Sequence, residues 1–326
     1  MSRRRSALGL VWTAVMIATA GCGAAATTLN GARAGATHSV SSGDPGAGAT
    51  ASHAPRRARP TPAYPSLLAS AQSSRVSEFV SVVRWRGRTA VWSARSPSGI
   101  ALLSFDQRLI ELRLHSGTID AGSSGWRWGP AAVGSERRRL VAAFNGGFKL
   151  STGAGGFMSY GRIGAPLHSG LGSVVTYAGG RTDIGAWHVE VLTSGTPVVS
   201  VRQNLTLLID HGRPAASVDC LSCWGAILGG VSDPARSALG VTADGRVIWA
   251  AGEHVTVAQL AAALLGARVV RAVELDINPE WVAGYLYGHR SDSGALAPVP
   301  VVPGQNGVPG FFLAPYSRDF FTVVAR

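Results

Sequence analysis

Glu274, Asp276 and Asn278 stand at alternate positions of the run Val269 to Asn278, and the two carboxylates among them are equipped for acid–base chemistry. On a strand, side chains two apart share a face and lie about 6–7 Å from one another. That spacing suits carboxylates flanking a scissile C–O bond. Crowding of like charges also raises one of the two pKa values, as a general acid requires. The same residues equally fit a structural reading, in which they pair with arginines at the sheet end or cap the loop that starts at Pro279.

A second group lies upstream. The apolar run Leu140 to Phe144 stops at Asn145-Gly146-Gly147, and Lys149, the only lysine of the chain, follows two residues later. Two glycines give the backbone angles that a side chain forbids and let a ligand approach the end of a buried strand. A compact, flexible ammonium beside that turn suits an anionic substrate; a tight turn with a solvated lysine is the plainer alternative. His168, in a glycine-rich stretch, is an acid or base or neither. Trp126 and Trp128, with Arg127 between them, form either a sugar-stacking platform or packing against the sheet. Cys220 and Cys223 form a small structural disulfide, stay free thiols, or do chemistry. Zinc needs two further ligands that the neighbouring sequence lacks.

The elements that must position these groups are mostly strands. Runs of β-type residues occur at Phe79 to Trp85, Thr89 to Ala94, Ile100 to Phe105 and Leu109 to Leu114, and again at Ser173 to Tyr177, His188 to Leu192, Pro197 to Gln203 and Leu205 to Ile209. Asp210-His211-Gly212-Arg213-Pro214 reads as a turn. The glycine-rich stretch between Gly153 and Gly172 reads as a surface loop system over the sheet. Arg246 to Asn278 reads as strand, helix, strand: Val247 to Ala250 is β, Thr256-Val257-Ala258-Gln259 is a capping box with Val255 and Leu260 as a hydrophobic staple, and Gly266 ends the helix in an αL conformation. A helix between two strands within about 30 residues predicts a crossover with parallel strands. The expected fold is therefore α+β: a single mixed domain, mainly antiparallel, with at least one βαβ crossover and few helices. No repeat of solenoid or propeller length is present.

Composition bounds the partners. Of a formal charge of +12 over 326 residues, half sits in residues 1–63, where seven arginines face Asp44 alone. The rest is spread without a basic helix, so nucleic acid is not an expected partner. Residues 1–22 form an export signal: three arginines, an apolar segment from Ala7 to Ala20, and small residues before Cys22. Thr19-Ala20-Gly21-Cys22 is similar to a lipobox, which makes Cys22 a lipidation site and membrane anchor; plain secretion is the other outcome. Residues 23–65, rich in Ala, Gly, Ser, Pro and Arg, form a disordered tether, and 66–326 the folded domain. No cofactor is predicted, no metal ligands are assigned, and metal dependence is open.

Together, Asn145-Gly146-Gly147-Phe148 after a buried strand, Arg236-Ser237-Ala238-Leu239-Gly240-Val241 with Asp244-Gly245, and the helix leading to Leu275-Asp276 resemble the phosphodiester glycosidase domain family, over roughly Leu140 to Tyr287. The resemblance implies a mixed α/β domain and hydrolysis of the bond between an anomeric carbon and a phosphodiester oxygen. It places Asn145, Gly146 and Gly147 in the first motif, Arg236 and Gly240 in the second, and Asp276 in the third. The third motif departs from the family pattern of Asn-Leu-Asp, three glycines and a serine, reading Glu274-Leu275-Asp276-Ile277-Asn278-Pro279 instead. The expected assignment is an exported, lipid-anchored hydrolase of a sugar phosphodiester. In it Arg236 and Lys149 hold phosphate, Asp276 and Glu274 handle protons or the developing charge, and Asn145 with Asn278 contacts substrate. A non-catalytic glycan-binding lipoprotein on the same scaffold is the competing class.

Overall fold

The computed structural model describes residues 76–122, 124–191, 195–225, 231–289, 295–308 and 310–326. The export signal, Cys22 and the tether lie outside the described residues.

In chain order come strands β1 (Val80–Trp85), β2 (Arg88–Arg95), β3 (Ala101–Phe105) and β4 (Ile110–His115), then the one-turn helix α1 (Gly134–Arg137) and β5 (Leu140–Asn145). Next are β6 (Phe157–Ser159), β7 (Arg162–Ala165), β8 (Gly172–Tyr177), β9 (Thr182–Ala186) and β10 (Val198–Gln203). The short pair β11 (Ile209–Asp210) and β12 (Arg213–Pro214) precedes β13 (Arg236–Thr242), β14 (Val247–Gly252), helix α2 (Val257–Gly266) and β15 (Val269–Glu274). β16 (Gly284–His289), β17 (Leu296–Pro300) and β18 (Phe320–Ala325) complete the described elements.

These strands form three sheets. The largest has the order β1-β2-β3-β14-β13-β15-β11-β12, the second β17-β16-β5-β18-β4, and the third β7-β6-β10-β8-β9. One face of the large sheet carries Ala238, Ile248, Ala250 and Ala272 against Val257, Leu260, Ala261 and Leu264 of α2. Its other face, with Leu239, Trp249 and Val273, joins Val141, Phe144 and Phe321 of the second sheet and Phe157, Val174 and Ile184 of the third in one core. Each large side chain in such a core contributes about 1.5–3 kcal/mol by burial.

The α+β expectation with a βαβ crossover is overturned. Every pairing between these strands is antiparallel, two helices occur among the described residues, and the fold is essentially all-β. Arg246 to Asn278 does run strand, helix, strand, but β14 and β15 are not partners. β13 lies between them, antiparallel to each, with Leu239 opposite Trp249 on one side and Val273 on the other. Local pattern places the elements without fixing which earlier strand enters between them. β13 fits there because all seven of its residues are buried, as a central strand covered on both faces must be.

Smaller differences have local causes. The capping box of α2 forms, with Gln259 N–H donating to Thr256 Oγ1 at 3.2 Å and Thr256 N–H donating to Gln259 Oε1 at 2.9 Å. The helix ends at Gly266, but the left-handed residue is Arg268, at φ 62°. The glycine-rich stretch is not simply a loop, since β6 and β7 in it belong to the third sheet. His188 to Glu190 form a turn rather than a strand, with His188 at φ 63°. Between β11 and β12, His211 and Gly212 both have positive φ, 46° and 70°, which matches the twist of a two-residue hairpin.

Candidate functional site

Strand β5 is apolar and wholly buried until Asn145, so its end carries a polar amide into the interior. Asn145 Nδ2 donates to Ser237 Oγ and to its neighbour's carbonyl, Gly146 O, both at 2.9 Å. Ser237, second residue of β13, accepts from Asp276 N–H at 3.3 Å. One hydroxyl thus joins the first motif of the resemblance to the third.

The two glycines face the protein's own side chains. A Cβ on Gly146 would lie 2.0 Å from Asp319 Oδ2, and one on Gly147 2.3 Å from Asn204 Oδ1 and 2.6 Å from Arg202 Cζ. The bare backbone makes room for a buried ion pair: Arg202 Nε donates to Asp319 Oδ2 at 2.7 Å and Nη2 to Oδ1 at 3.2 Å. Gly147 N–H donates to Asp319 Oδ2 at 3.2 Å, Phe148 N–H to Asn204 Oδ1 at 3.0 Å, and Arg202 also donates to Phe148 O. The Asn145-to-Phe148 turn is therefore moulded onto Arg202, Asn204 and Asp319.

Arg318 extends this network. Its Nε donates to Asp120, and its Nη2 donates to Gly147 O at 2.8 Å and to Asp276 Oδ2 at 3.3 Å. Asp276 Oδ1 accepts from Ile277 N–H at 2.8 Å and Asn278 N–H at 3.0 Å. Burial pushes the Asp276 carboxyl up to about 6, against the opposing pull of Arg318 and these two N–H groups, while the nearby Asp319 charge adds to the rise. Two guanidinia, Arg202 and Arg318, here meet three carboxylates, Asp120, Asp276 and Asp319. Burial thus moves the Asp276 carboxyl toward neutral pH.

Glu274 and Arg236 form a separate pair. Arg236 Nη1 donates to Glu274 Oε1 at 2.6 Å and to Trp224 O at 3.2 Å, and Nε donates to Val255 O at 2.8 Å. Both residues are buried. Burial raises the Glu274 carboxyl while Arg236 pulls it down, and the Asp276 charge adds to the rise. β15 ends at Glu274, so the period of two does not carry on to Asp276 and Asn278. Asn278 is half-buried and its Oδ1 accepts from Glu280 N–H at 2.9 Å. Cys220 and Cys223 are joined by a disulfide, in the turn that presents Trp224 O to Arg236.

Lys149 is exposed and lines a cleft of about 540 Å³ with Asp120, Trp281 and Arg318. It forms no ion pair among the described residues. Arg318 thus reaches from the cleft wall to Asp276 and to the glycine turn. Several buried polar atoms around this wall have no partner among the described residues: Asn145 Oδ1, Asn204 Nδ2, Trp281 Nε1 and Tyr316 Oη. Such atoms are scarce in folded interiors, where ordered water commonly completes them. Trp126 packs edge-on against Phe157 at 5.0 Å, a core role, and His168 is exposed. No group of three His, Cys, Asp or Glu among the described residues is placed to hold a metal ion.

Arg202, Asn204, Asp120, Arg318 and Asp319 do not stand out in the sequence by type or spacing. One signal was present: Arg318-Asp319 immediately precedes the apolar run Phe320 to Ala325, the mirror image of Asn145 after Leu140 to Phe144. β18 pairs with β5 so that Phe320 lies opposite Asn145, which places the two polar ends together.

No family model matches the chain, and no curated protein matches it. Among solved structures it is similar to the zebrafish N-acetylglucosamine-1-phosphodiester alpha-N-acetylglucosaminidase catalytic domain, auto-inhibited by its pro-peptide, at 16% identity and TM-score 0.45 over 78% of this chain and 83% of that one. It is also similar to a hypothetical protein from Synechocystis, at 12% identity and TM-score 0.43 over 74% of this chain and 63% of that one. Both are likenesses of fold at low identity.

Proposed function

We propose that the chain is an exported hydrolase that cleaves the bond between a sugar's anomeric carbon and a phosphodiester oxygen, with Cys22 anchoring it to the outer face of the membrane. The observation that carries this reading is the connection of the Asn145-to-Gly147 turn and Asp276 through Ser237 and Arg318, beside the cleft that Lys149 lines.

In this reading the phosphate lies between Lys149 and Arg318. Their positive charge stabilises the phosphate monoester as it leaves with the bonding electron pair. Asp276, with its carboxyl pushed up to about 6, is mostly ionised at neutral pH and basic enough to take a proton from the attacking water. The water oxygen bonds to the anomeric carbon as the C–O bond to phosphate breaks. Trp281 lines the same wall, with the Arg318 guanidinium 5.4 Å from its ring centroid. Arg236 and Glu274, which the sequence placed at the substrate, hold each other, and Arg236 ties the second motif to the carbonyls of Val255, just before α2, and Trp224. Asn145 acts as a positioning residue through Ser237.

A binding-only module is the second reading. It is favoured by the closure of Glu274 on Arg236, which leaves Asp276 without the carboxylate partner expected from spacing. Incubating the purified chain with sugar phosphodiesters and with neutral glycosides separates the two. Release of free sugar from phosphodiesters supports the hydrolase; saturable binding with no release at any pH from 4 to 9 rejects it in favour of the binding module.

A further inference from the structure

A second cleft, of about 460 Å³, opens between the second and third sheets and is lined by Arg113, Arg127, Trp128, Arg139, Ser159 and Tyr160 among others. It does not share a lining residue with the Lys149 cleft. Its charge is uneven. Arg113 is paired with Glu111, whose carboxylate also lines the cleft, and lies 3.7 Å from Glu136, so its charge is offset. Arg127 and Arg139 have no carboxylate partner among the described residues, and Arg139 Nη1 donates to a backbone carbonyl, Ala325 O, at 3.1 Å.

Arg127 is exposed yet held. Its guanidinium lies 4.9 Å from the Tyr160 ring centroid and 5.5 Å from that of Trp128, and Arg113 lies over the same Trp128 ring at 4.3 Å. Stacking fixes the plane of a guanidinium while leaving its N–H edge free to donate. Two arginines therefore lie near the one Trp128 ring. Ser159 also lines the cleft, with its Oγ buried behind the surface and without a hydrogen-bond partner among the described residues. Guanidinium forks lining one cavity suit an acceptor-rich ligand with oxygens pointing in several directions. A tetrahedral phosphate group has that shape, whereas a planar carboxylate offers two oxygens in one plane.

We propose that this cleft is an anion site for a phosphate-bearing ligand, gripped by Arg127 and Arg139. The ligand is either a phosphorylated segment of a polymer or a free phosphate compound, which share the oxyanion chemistry.

The test uses the full chain carrying Lys149→Ala, so that the other cleft lacks its exposed cation, with calorimetric titration of pyrophosphate at low ionic strength. One-to-one binding is expected, weakened at least tenfold when Arg127→Ala is added, because charge-assisted hydrogen bonds are lost. An unchanged melting temperature shows that this exposed substitution leaves the fold intact. Tricarballylate at matched ionic strength is expected to bind at least fivefold more weakly than pyrophosphate. A phosphorylated oligosaccharide that binds tighter than pyrophosphate identifies the polymer source, and one that binds no tighter identifies the free compound. Absence of pyrophosphate binding, affinity unchanged by Arg127→Ala, or equal affinity for tricarballylate overturns the proposal.

Discussion

Replacing Asp319 by alanine tests whether the glycine turn is held by the buried ion pair beneath it. Asp319 and Arg202 are both fully buried, and their contacts at 2.7 and 3.2 Å leave Arg202 with no other carboxylate within the salt-bridge range. Asp319→Ala strands the guanidinium with the carbonyls of Phe148 and Gln203 and the Asn204 amide oxygen. Breaking one side of a buried pair costs about 3–5 kcal/mol, because the remaining charge stays desolvated. Followed by tryptophan fluorescence in urea, with a slope of about 3 kcal/mol per molar, the midpoint falls by about 1–1.7 M. Adding Arg202→Met removes the stranded charge, so the double variant is expected to be more stable than Asp319→Ala alone. A loss below about 1 kcal/mol for the single variant, or a double variant that is simply additive, refutes this account of the turn.

Gly146→Ala places a methyl 2.0 Å from the Asp319 carboxylate and 2.6 Å from its backbone oxygen, so the Asp319 midpoint loss in urea should be matched or exceeded. Asp276 gives a pH signature in stability. Its folded pKa, about 6, lies above the ordinary 3.8, so the folded state binds more protons between those values. Stability relative to Asp276→Asn is therefore full below pH 4 and falls by about 3 kcal/mol as pH rises to 6, measurable by urea titrations across that range. Lys149→Ala, at an exposed position, is expected to raise KM for a sugar phosphodiester about tenfold with the fold intact; initial-rate kinetics with a circular dichroism control check it.

Much of the framework was legible because buried strands and capped helices are local patterns. The alternation from Leu109 to Leu114 became β4 within one residue, and the Thr256 box starts α2 as its chemistry requires. What local pattern could not supply was the order of strands: β13 enters between β14 and β15 from outside the strand–helix–strand stretch. The site divides in the same way. Asn145, Gly146, Gly147 and Asp276 stood out by type and spacing, and the structure joins them through Ser237 and Arg318. Arg236 and Glu274 looked like substrate ligands, yet they are buried against each other in the interior, where the arginine donates to that carboxyl group and to two backbone carbonyls. Arg202, Arg318 and Asp319 belong to strand ends more than 50 residues from the turn they hold, and no sequence window spans that distance.

In the proposed reaction Asp276, tied to the glycine turn and to Arg318, acts on a sugar phosphodiester. The most direct measurement is the pH–rate profile for release of sugar from an aryl phosphodiester of N-acetylglucosamine by the purified chain and by Asp276→Asn. The account predicts a rate that climbs as pH rises through about 6 and a loss of at least about a hundredfold in the folded Asp276→Asn protein. A folded Asp276→Asn chain that turns over at the wild-type rate, or a wild-type chain that releases no sugar at any pH, contradicts it.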